Sequence, residues 1–343
     1  MVGLTPYDQP GAADARAGPS SDALRASVVV CTRNRGPLIG ETIESLLDQD
    51  FPAGTFEIVV VDNASSDATP EVLRALGARH PGRIRVVREP TLGLSNARNR
   101  GIHASHGDVI AFTDDDARVS PHWLHALVEA CERPEVACAG GPVRASLEVP
   151  LPPWLTSPFL PYLSVFDKGP DEIDLSYNEC PPGVNIAFPR HSFRAVGLFS
   201  TAFGRKGRSL LSNEEIEICY RLERLGRRIL YVPGAEVHHV IHPDRLTVRW
   251  FQRRFYWQGK SEAYFDLLHR GGAFVGERLV ALARAAIADR VRPVRAAGAA
   301  PLHRHYLTWT SLGYGVGAVH GWVTRIVSRG RPAPYDGRLG RVS

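Results

Sequence analysis

The chain has 343 residues, of which 44% are hydrophobic and 22% are charged. These ordinary values exclude wholesale disorder and permit a sizeable buried core. The formal net charge of +5 is small and the arginines are spread along the chain, so nucleic acid is not an expected partner. The five cysteines are odd in number and include no CxxC pair, which favours free thiols in a reducing cytoplasm over disulfides or a zinc site.

The first 25 residues are rich in Gly, Ala, Pro, Asp and Ser, and we expect them to form a disordered leader. They contain no apolar core of the kind that a secretion signal needs. No stretch of the chain approaches about 18 clean apolar residues, so a membrane-spanning helix is not expected. These features predict a cytoplasmic protein.

Short apolar strands alternate with helical patterns in the first half of the chain. The runs at 27–31, 57–61, 84–88 and 109–112 are unalternating, as strands buried on both faces should be. Helices are predicted after each run; Thr69-Pro70 is typical of an N-cap and first helical position, and Ser120-Pro121 of another helix start. This rhythm predicts a Rossmann-like α/β fold, with a mostly parallel central sheet and helices on both faces.

The second half of the chain is less regular. Prolines and aromatic residues dominate 142–182, which we interpret as an irregular insertion that helps shape a binding pocket. Beyond it the pattern predicts short strands and one helix, over 184–188, 213–225, 229–232 and 236–240. From about Leu246 onward the sequence is helical in pattern and rich in Arg, Trp and Ala. We therefore expect a C-terminal helical region.

Three predicted strands end in polar or acidic residues, namely Thr32-Arg33-Asn34, Asp62-Asn63 and Asp114-Asp115-Asp116. In an open α/β sheet, ligands bind outside the carboxyl ends of the strands. Three adjacent carboxylates repel one another unless a cation or hydrogen bonds compensate, and hard oxygen ligands suit Mg²⁺ or Mn²⁺. The alternative is an acidic turn that caps the helix at Ser120.

Other candidate residues each have two interpretations. Asp62 either accepts hydrogen bonds from a nucleoside or forms an Asx turn. Arg98 either reaches a diphosphate or lies on a solvated helix face. Glu214 and Glu215 open a helix, where acidic residues complement the macrodipole, but one of them is also a candidate general base. His239, like most histidines, has a structural interpretation beside that of an extra metal ligand.

Six segments occur in a recognisable order. They are VVVCTRNR at 28–35, EIVVVDNASSD at 57–67, GLSNARNRGI at 93–102, DVIAFTDDDA at 108–117, GVNIAFPR at 183–190 and NEEIEICYRLERLGRRILYVPGAEVHH at 213–239. Together they resemble the family 2 glycosyltransferases, which have the GT-A fold, over roughly residues 26 to 240. The resemblance implies a GT-A domain at 26–242, with a nucleotide-sugar half (26–141) and an acceptor half (142–242), followed by a helical extension at 243–343.

The resemblance also implies roles for single residues, each taken from its position in these segments. The nucleoside would be held by Thr32, Asn34 and Asp62, and Arg98 would approach the base or diphosphate. Asp114 and Asp116 take the first and last places of the Asp-x-Asp motif, with Asp116 as a direct ligand of Mn²⁺ or Mg²⁺. His239 would complete this site, and Asp115 is included among the donor-binding residues.

The resemblance implies an inverting transfer from a nucleoside-diphosphate sugar to an acceptor hydroxyl of unidentified class. Glu215 falls where the family commonly carries the aspartate of a Glu-Asp pair, six residues before the arginine matched by Arg221. Because the residue here is a glutamate, with its carboxylate displaced by roughly one carbon–carbon bond, Glu214 remains a rival for the general base.

Two other functional classes stay open. A nucleotidyltransferase would share the sheet and the aspartates, but it usually has a Gly-rich loop after the first strand, which CTRNR at 31–35 is not. A non-catalytic membrane-surface scaffold would use the basic C-terminal helices. The mixture of arginines and aromatic residues at 249–257 suits peripheral contact with the inner face of a membrane, an acceptor-binding wall, or packing onto the catalytic domain.

Overall fold

The computed structural model describes residues 24–291, 300–324 and 332–335. The first 23 residues of the predicted leader lie outside the described residues. Leu24 is buried, and the backbone amide of Arg25 donates a hydrogen bond to the carbonyl of Thr55 (2.8 Å). These contacts attach residues 24 and 25, the last two of the predicted leader, to the folded domain.

Eleven strands are present in the described residues. They are β1 (Ala26–Thr32), β2 (Phe56–Asp62), β3 (Ile84–Arg88), β4 (Val109–Asp114), β5 (Ala117–Val119), β6 (Val136–Gly140), β7 (Val143–Leu147), β8 (Ile173–Leu175), β9 (Ile186–Pro189), β10 (Arg228–Tyr231) and β11 (Val237–Ile241).

The α-helices of the same residues are α1 (Ile39–Leu47), α2 (Thr69–Arg79), α3 (Leu94–Ala104), α4 (Trp123–Cys131), α5 (Arg190–Val196), α6 (Glu214–Glu223), α7 (Val248–His269), α8 (Gly271–Val291) and α9 (Ala300–Val323). Short 3₁₀ helices span Ser157–Leu163, Tyr177–Glu179 and Pro243–Arg245.

The central sheet has the strand order β3-β2-β1-β4-β9-β6-β10-β8, and a small second sheet has the order β5-β11-β7. Strands β1, β2, β3 and β4 are parallel, whereas β9 runs antiparallel to both β4 and β6. The chain proceeds from β1 outward to β2 and β3, then returns to place β4 on the other side of β1. This reversal opens a crevice at the carboxyl ends of β1 and β4, where α/β proteins bind their ligands.

Both faces of the central sheet are covered, which explains the unalternating strands. In β1, Val28 and Val30 point into one apolar core, which includes side chains of α1, α2 and α4. Val29 points into a second core, which includes side chains of α3, α5 and α6. Because successive side chains enter different cores, consecutive positions in the middle of the strand must all be apolar. The predicted mostly parallel sheet with helices on both faces is therefore confirmed.

Some boundaries differ from the predictions. Thr69 is not an N-cap but the first residue of α2; its hydroxyl accepts hydrogen bonds from the backbone amides of Arg35 and Gly36 (3.0 and 2.8 Å). Helix α4 begins at Trp123, after Ser120-Pro121. The segment 142–182 is not irregular throughout, because it contains β7 and β8. Strand β6 was not predicted, since its sequence VACAG lacks the β-branched signal.

The C-terminal helical region forms where it was predicted. Helix α7 packs closely against α9, because Gly259 faces the carbonyl of Thr310 and Gly313 faces that of Tyr256, at distances that leave no room for a Cβ atom. Phe251 and Phe255 of α7 join a core with the 3₁₀ helix Ser157–Leu163 and with α9. No helix within the described ranges is both long and apolar enough to cross a membrane.

Candidate active site

A cavity of about 920 Å³ opens at the carboxyl ends of β1 and β4. It is bounded also by the start of α6, by α7 and by residues of the segment 157–168. Seven of the ten predicted site residues line it: Thr32, Arg98, Asp114, Asp115, Asp116, Glu214 and Glu215. The other three, Asn34, Asp62 and His239, are not among the residues that line the cavity in the described part of the chain.

Two aspartates and a histidine form the candidate metal centre. One ligand atom from each of Asp114, Asp116 and His239 lies within 4.8 Å of the other two. The small sheet creates this proximity, because β11 pairs with β5 so that His239 lies opposite Ala117, the residue after Asp116. The His239 Nε2 atom is 3.3 Å from Asp116 Oδ1. Asp116 and His239, which are 123 positions apart in sequence, thus meet through strand register.

The orientation of the His239 ring suits a metal ligand. Its Nδ1 atom is 3.1 Å from the carbonyl oxygen of Leu163, which can only accept, so Nδ1 carries a proton. Its Nε2 atom faces the aspartates and lies 3.3 Å from Arg245 Nη1. His238 is exposed and points to the other face of β11, as strand alternation requires. Two carboxylates and one buried imidazole are a donor set that fits Mn²⁺ or Mg²⁺.

Asp116 is in contact with two arginines that are not among the predicted site residues. Arg35 Nη1 lies 2.5 Å and Arg245 Nη2 lies 3.1 Å from its Oδ2 atom. Burial disfavours the charged form of Asp116, but His239, Arg245 and Arg35 outweigh burial and hold its pKa well below the ordinary value. Arg35 ends the segment VVVCTRNR at 28–35, whose position after a strand could have indicated it; nothing in the local sequence marks Arg245.

Asp115 occupies a different environment from its two neighbours. Its Oδ2 atom accepts a 2.6 Å hydrogen bond from the Thr32 hydroxyl. Burial, together with the charges of Asp116 and Asp114, raises the pKa of Asp115 to about 7 despite the opposing charge of Arg35. The acidic turn is thus stabilised by Thr32 and by cations, not by capping of α4, whose N-terminus has no side-chain cap.

Asn34 and Asp62 stabilise the loops beside the cavity. Asn34 has a left-handed backbone (φ 55°), and its Oδ1 atom accepts from the amide of Ser66 at 2.8 Å. Asp62 is fully buried, and its Oδ1 atom accepts from the amide of Ser65 at 3.0 Å, a local turn contact that spans one residue more than the Asx turn considered above. Their predicted nucleoside contacts remain predictions.

Arg98 and the glutamate pair form the second polar group of the cavity. Arg98 is only 3% exposed, so the interpretation of a solvated helix face is wrong. Its Nη1 atom lies 2.9 Å from Glu215 Oε1 and 3.2 Å from Glu214 Oε1. Burial works against its charge, but Glu215 and Glu214 together raise the pKa of Arg98 above its ordinary value.

The two glutamates differ in accessibility. The Glu214 side chain is 4% exposed, and its Oε2 atom is buried with no hydrogen-bond partner in the described part of the chain, whereas the Glu215 side chain is 15% exposed. Burial, and then the charge of Glu215, raises the pKa of Glu214 to about 7. Glu215 is therefore the glutamate that a molecule in the cavity reaches more easily.

Helix α7 fixes the start of α6, where the glutamates lie. Asn213, which precedes them, has a left-handed backbone (φ 74°), and its Oδ1 atom accepts from Gln258 Nε2 at 3.2 Å. The amide of Ser212 donates to Ser261 Oγ at 3.0 Å. Gln258 also lines the cavity. Both contacts come from α7, so the C-terminal helices help to build the site.

Gly183 leaves room for the ion pair of Arg98 and Glu215. A Cβ atom at this position would lie 2.0 Å from Glu215 Oε1 and 2.1 Å from Arg98 Nη2. Any side chain would displace at least one of these groups. The glycine that opens the segment GVNIAFPR is thus required by close packing against the two charged side chains.

The chain is similar in sequence to known glycosyltransferases. The model of the family described as Glycosyl transferase family 2 matches residues 27–197. A glucosyl-dolichyl phosphate glucuronosyltransferase of Haloferax volcanii is 30% identical over 254 residues, which cover 72% of this chain and 79% of that protein. The succinoglycan biosynthesis protein ExoM of Rhizobium meliloti is 29% identical over 244 residues, or 70% of this chain and 75% of that protein.

Solved structures give the same fold. The mannosyltransferase PcManGT from Pyrobaculum calidifontis, in complex with GDP-Man and Mn²⁺, has a TM-score of 0.55 at 23% identity, with 90% of each chain covered. GalNAc-T7 with UDP, GalNAc and Mn²⁺ has a TM-score of 0.52 at 19% identity; the match covers 73% of this chain and about half (51%) of that one. The chain therefore belongs to glycosyl transferase family 2 and is a glycosyltransferase with the GT-A fold.

Proposed function

We propose that this glycosyltransferase moves a sugar from a nucleoside-diphosphate sugar to an acceptor hydroxyl with inversion at the anomeric carbon, assisted by Mn²⁺ or Mg²⁺. One observation carries the proposal: the two aspartates of the candidate metal centre and the Arg98-bound glutamates line the same cavity. A displacement reaction needs both a group that stabilises the leaving diphosphate and a base that activates the acceptor.

The donor would lie at the carboxyl ends of β1, β2 and β4. Asp114, Asp116 and His239 would hold the ion, which neutralises negative charge on the diphosphate when it is bound. Arg35 and Arg245, beside Asp116, would add positive charge on the diphosphate side. Thr32, Asn34, Asp62 and Asp115 are the proposed nucleoside and sugar contacts. The Mn²⁺ and the nucleotides in the two solved relatives support this choice of ligands.

Glu215 is the proposed general base. It takes the proton from the acceptor hydroxyl while that oxygen attacks the anomeric carbon and the nucleoside diphosphate leaves. Arg98 lies 2.9 Å from Glu215 and would hold its carboxylate in position. The greater exposure of Glu215 supports its choice over Glu214.

Glu215→Gln tests this assignment against its rival. We expect it to lower the rate of transfer about 10²- to 10⁴-fold, because a positioned base typically contributes that much. Binding of the sugar nucleotide should change little. Glu214→Gln is the matched variant, and it should leave most of the activity. Undiminished turnover of Glu215→Gln, or a larger loss in Glu214→Gln, would contradict the role of Glu215.

A thermal-shift screen of UDP, GDP and TDP sugars with Mn²⁺ or Mg²⁺ tests the donor and the metal together. A sugar nucleotide at 100 times its Kd stabilises the folded state by about 2.7 kcal/mol. We expect one base type to raise the unfolding temperature only when the metal is present. Asp116→Asn should abolish this shift, whereas Asp108→Asn, an exposed aspartate before β4, should retain it.

The outcomes of this screen separate the functional classes. No metal-assisted shift with any sugar nucleotide would contradict the proposed donor site. Product analysis then distinguishes the nucleotidyltransferase alternative, which releases pyrophosphate, from the proposed reaction, which releases a nucleoside diphosphate. Hydrolysis or transfer by the purified protein would contradict a purely structural scaffold.

We also propose that the C-terminal helices contact a membrane surface peripherally. Among described residues, seven of the twelve exposed large apolar side chains lie on α8 and α9, and we call them the α8–α9 apolar surface: Val280, Ile287, Leu312, Val316, Val319, Trp322 and Val323. Four of these are spaced to share one face of α9. Arg284 and Arg304 are exposed on the same helices. Among the positions of these helices whose side chains are described, Glu277 is the one exposed acidic residue. Positive charge therefore exceeds negative charge beside this surface, which suits anionic lipid headgroups.

A further inference from the structure

Arg254, on α7, brings a positive charge to the cavity without a matching negative one. It lines the cavity, and its Nη1 atom is buried with no hydrogen-bond partner among the described residues. Its guanidinium carbon lies 5.4 Å from the centre of the Tyr162 ring, which also lines the cavity. The ring supports the cation from one side but cannot accept its N–H groups as a carboxylate does.

Three other arginines that line the cavity are paired with carboxylates. Arg98 binds Glu214 and Glu215, while Arg35 and Arg245 bind Asp116. For Arg254 the described residues provide no carboxylate within 4.0 Å. Burial, and then the nearby charge of Arg205, lowers the pKa of Arg254 to about 10, which shows that its surroundings disfavour the charge. A buried cation of this kind is compensated when an anionic ligand binds it.

The acidic residues whose charges act most strongly on Arg254 are Glu214 and Glu215, not the aspartates of the metal centre. Arg205 and the Tyr162 side chain also act on it. The acidic residues that act on Arg35 are Asp115, Asp116 and Asp114. Arg35 is thus coupled to the aspartates and Arg254 to the glutamates, while Arg205 acts on both Arg254 and Arg245. One of these glutamates is the proposed base that the acceptor hydroxyl must meet.

We propose that Arg254, assisted by Arg205, binds an anionic group of the acceptor, a phosphate or a carboxylate. The inference rests on the proposed function, because it assigns the acceptor to the side of Glu215. A guanidinium offers parallel N–H donors that match both anions, and Tyr162 would hold it in place beneath them. The acceptor class would then be a charged sugar or a phosphate-linked sugar, not a neutral glycan end.

The donor diphosphate is also an anion, so it competes with the acceptor as the ligand of Arg254. The experiment therefore saturates the donor side first, with Mn²⁺ and the nucleoside diphosphate that the thermal-shift screen selects. Calorimetry then measures binding of three probes to the full chain: glucose 1-phosphate, glucuronate and the neutral methyl glucoside. The variants are Arg254→Gln, Arg254→Lys and, as the matched control, Arg253→Gln, which changes an exposed arginine of the same helix that does not line the cavity.

We expect wild type and Arg253→Gln to bind at least one charged probe about tenfold more tightly than methyl glucoside. Arg254→Gln should lose this preference, and Arg254→Lys should retain part of it. Nucleoside diphosphate binding should stay unchanged in all variants. The unfolding temperature of Arg254→Gln should not fall, because an uncompensated buried charge is removed.

Three results would overturn the inference. The first is equal affinity of wild type for charged and neutral probes. The second is a preference for charged probes that survives in Arg254→Gln. The third is a loss of nucleoside diphosphate binding in Arg254→Gln, which would assign Arg254 to the donor. Failure of the proposed function would look different, because no nucleoside diphosphate would bind the wild-type protein at all.

Discussion

Glu214 is buried beside a second glutamate, and a single guanidinium faces both. Arg98 Nη1 contacts Oε1 of each carboxylate, but Glu214 Oε2 has no hydrogen-bond partner within residues 24–291, 300–324 and 332–335. An unpaired buried oxygen favours the protonated carboxyl over the carboxylate. Glu214 therefore titrates in the neutral range, with a pKa raised to about 7 by burial and by Glu215. This makes the folded protein sensitive to pH at one residue of the site.

Glu214→Gln should show this sensitivity in stability. The pKa of this carboxyl is about 7 in the folded protein and near 4.5 in the unfolded chain. Its contribution to stability is therefore fully present below pH 4.5 and is lost as the pH rises through 7. Compared with Glu214→Gln, the wild type should thus lose stability between about pH 5 and pH 8, by at most about 3 kcal/mol. Urea unfolding at both pH values measures the difference. A constant difference, or one that grows in favour of wild type as pH rises, would contradict the raised pKa.

Helix α6 carries Glu214 and Glu215, and its position is stabilised by two ion pairs of a third glutamate, Glu217. This residue is fully buried; its Oε2 atom lies 2.8 Å from Arg221 Nη2, and its Oε1 atom lies 3.1 Å from His269 Nε2 in the last turn of α7. Arg221 also donates to the carbonyl of Leu198, beyond the end of α5. Glu217 thus joins three helices around the site, and the arginine matched by the family resemblance has a structural role.

Glu217→Ala should destabilise the fold strongly. Removal of one partner leaves the nearly buried Arg221 without its counter-ion, which costs about 3–5 kcal/mol in comparable pairs. Chemical denaturation measures the free energy of unfolding. Glu132→Ala is the control, because it breaks an exposed ion pair with Arg25 and should cost no more than about 1 kcal/mol. Similar losses in the two variants would show that the Glu217 contacts do not hold α6.

At the scale of the whole molecule, the apolar surface and the cavity are joined by the C-terminal helices. Helix α7 supplies Arg254 and Gln258 to the cavity, and α9 packs along α7 through Gly259 and Gly313. The α8–α9 apolar surface therefore belongs to the same helical region that borders the cavity. Contact of this surface with a membrane would bring the catalytic domain close to lipid headgroups.

Vesicle co-sedimentation tests the membrane contact. The protein should bind vesicles of phosphatidylcholine mixed with phosphatidylglycerol more strongly than phosphatidylcholine alone, and less strongly at high salt. Val319→Asp and Trp322→Asp should abolish binding, since both side chains are about two-thirds exposed. Leu225→Asp alters an exposed leucine outside the surface and should have no effect. Absence of wild-type binding, or equal losses in all three variants, would contradict the proposal.

Much of the fold and part of the site were predictable because they depend on local pattern. A strand buried on both faces requires an apolar run, and its carboxyl end must turn polar where the chain leaves the core. Thr32 and Asp114 are marked in this way, and strand order then brings them to one crevice. Strand β6 and the segment 142–182 gave weaker signals, because small residues and prolines do not distinguish a short strand from a loop.

The sequence by itself determined the parallel sheet, the acidic strand end and the pair of candidate bases, Glu214 and Glu215, since motif spacing and apolar periodicity are local properties. Only the tertiary structure decided which cations surround these groups. Arg245 reaches Asp116 across 129 positions, and Arg254 meets the cavity through the packing of α7. Electrostatic interactions depend on distance in space, and the distance between such residues is set by how helices and sheets pack, which no local pattern records.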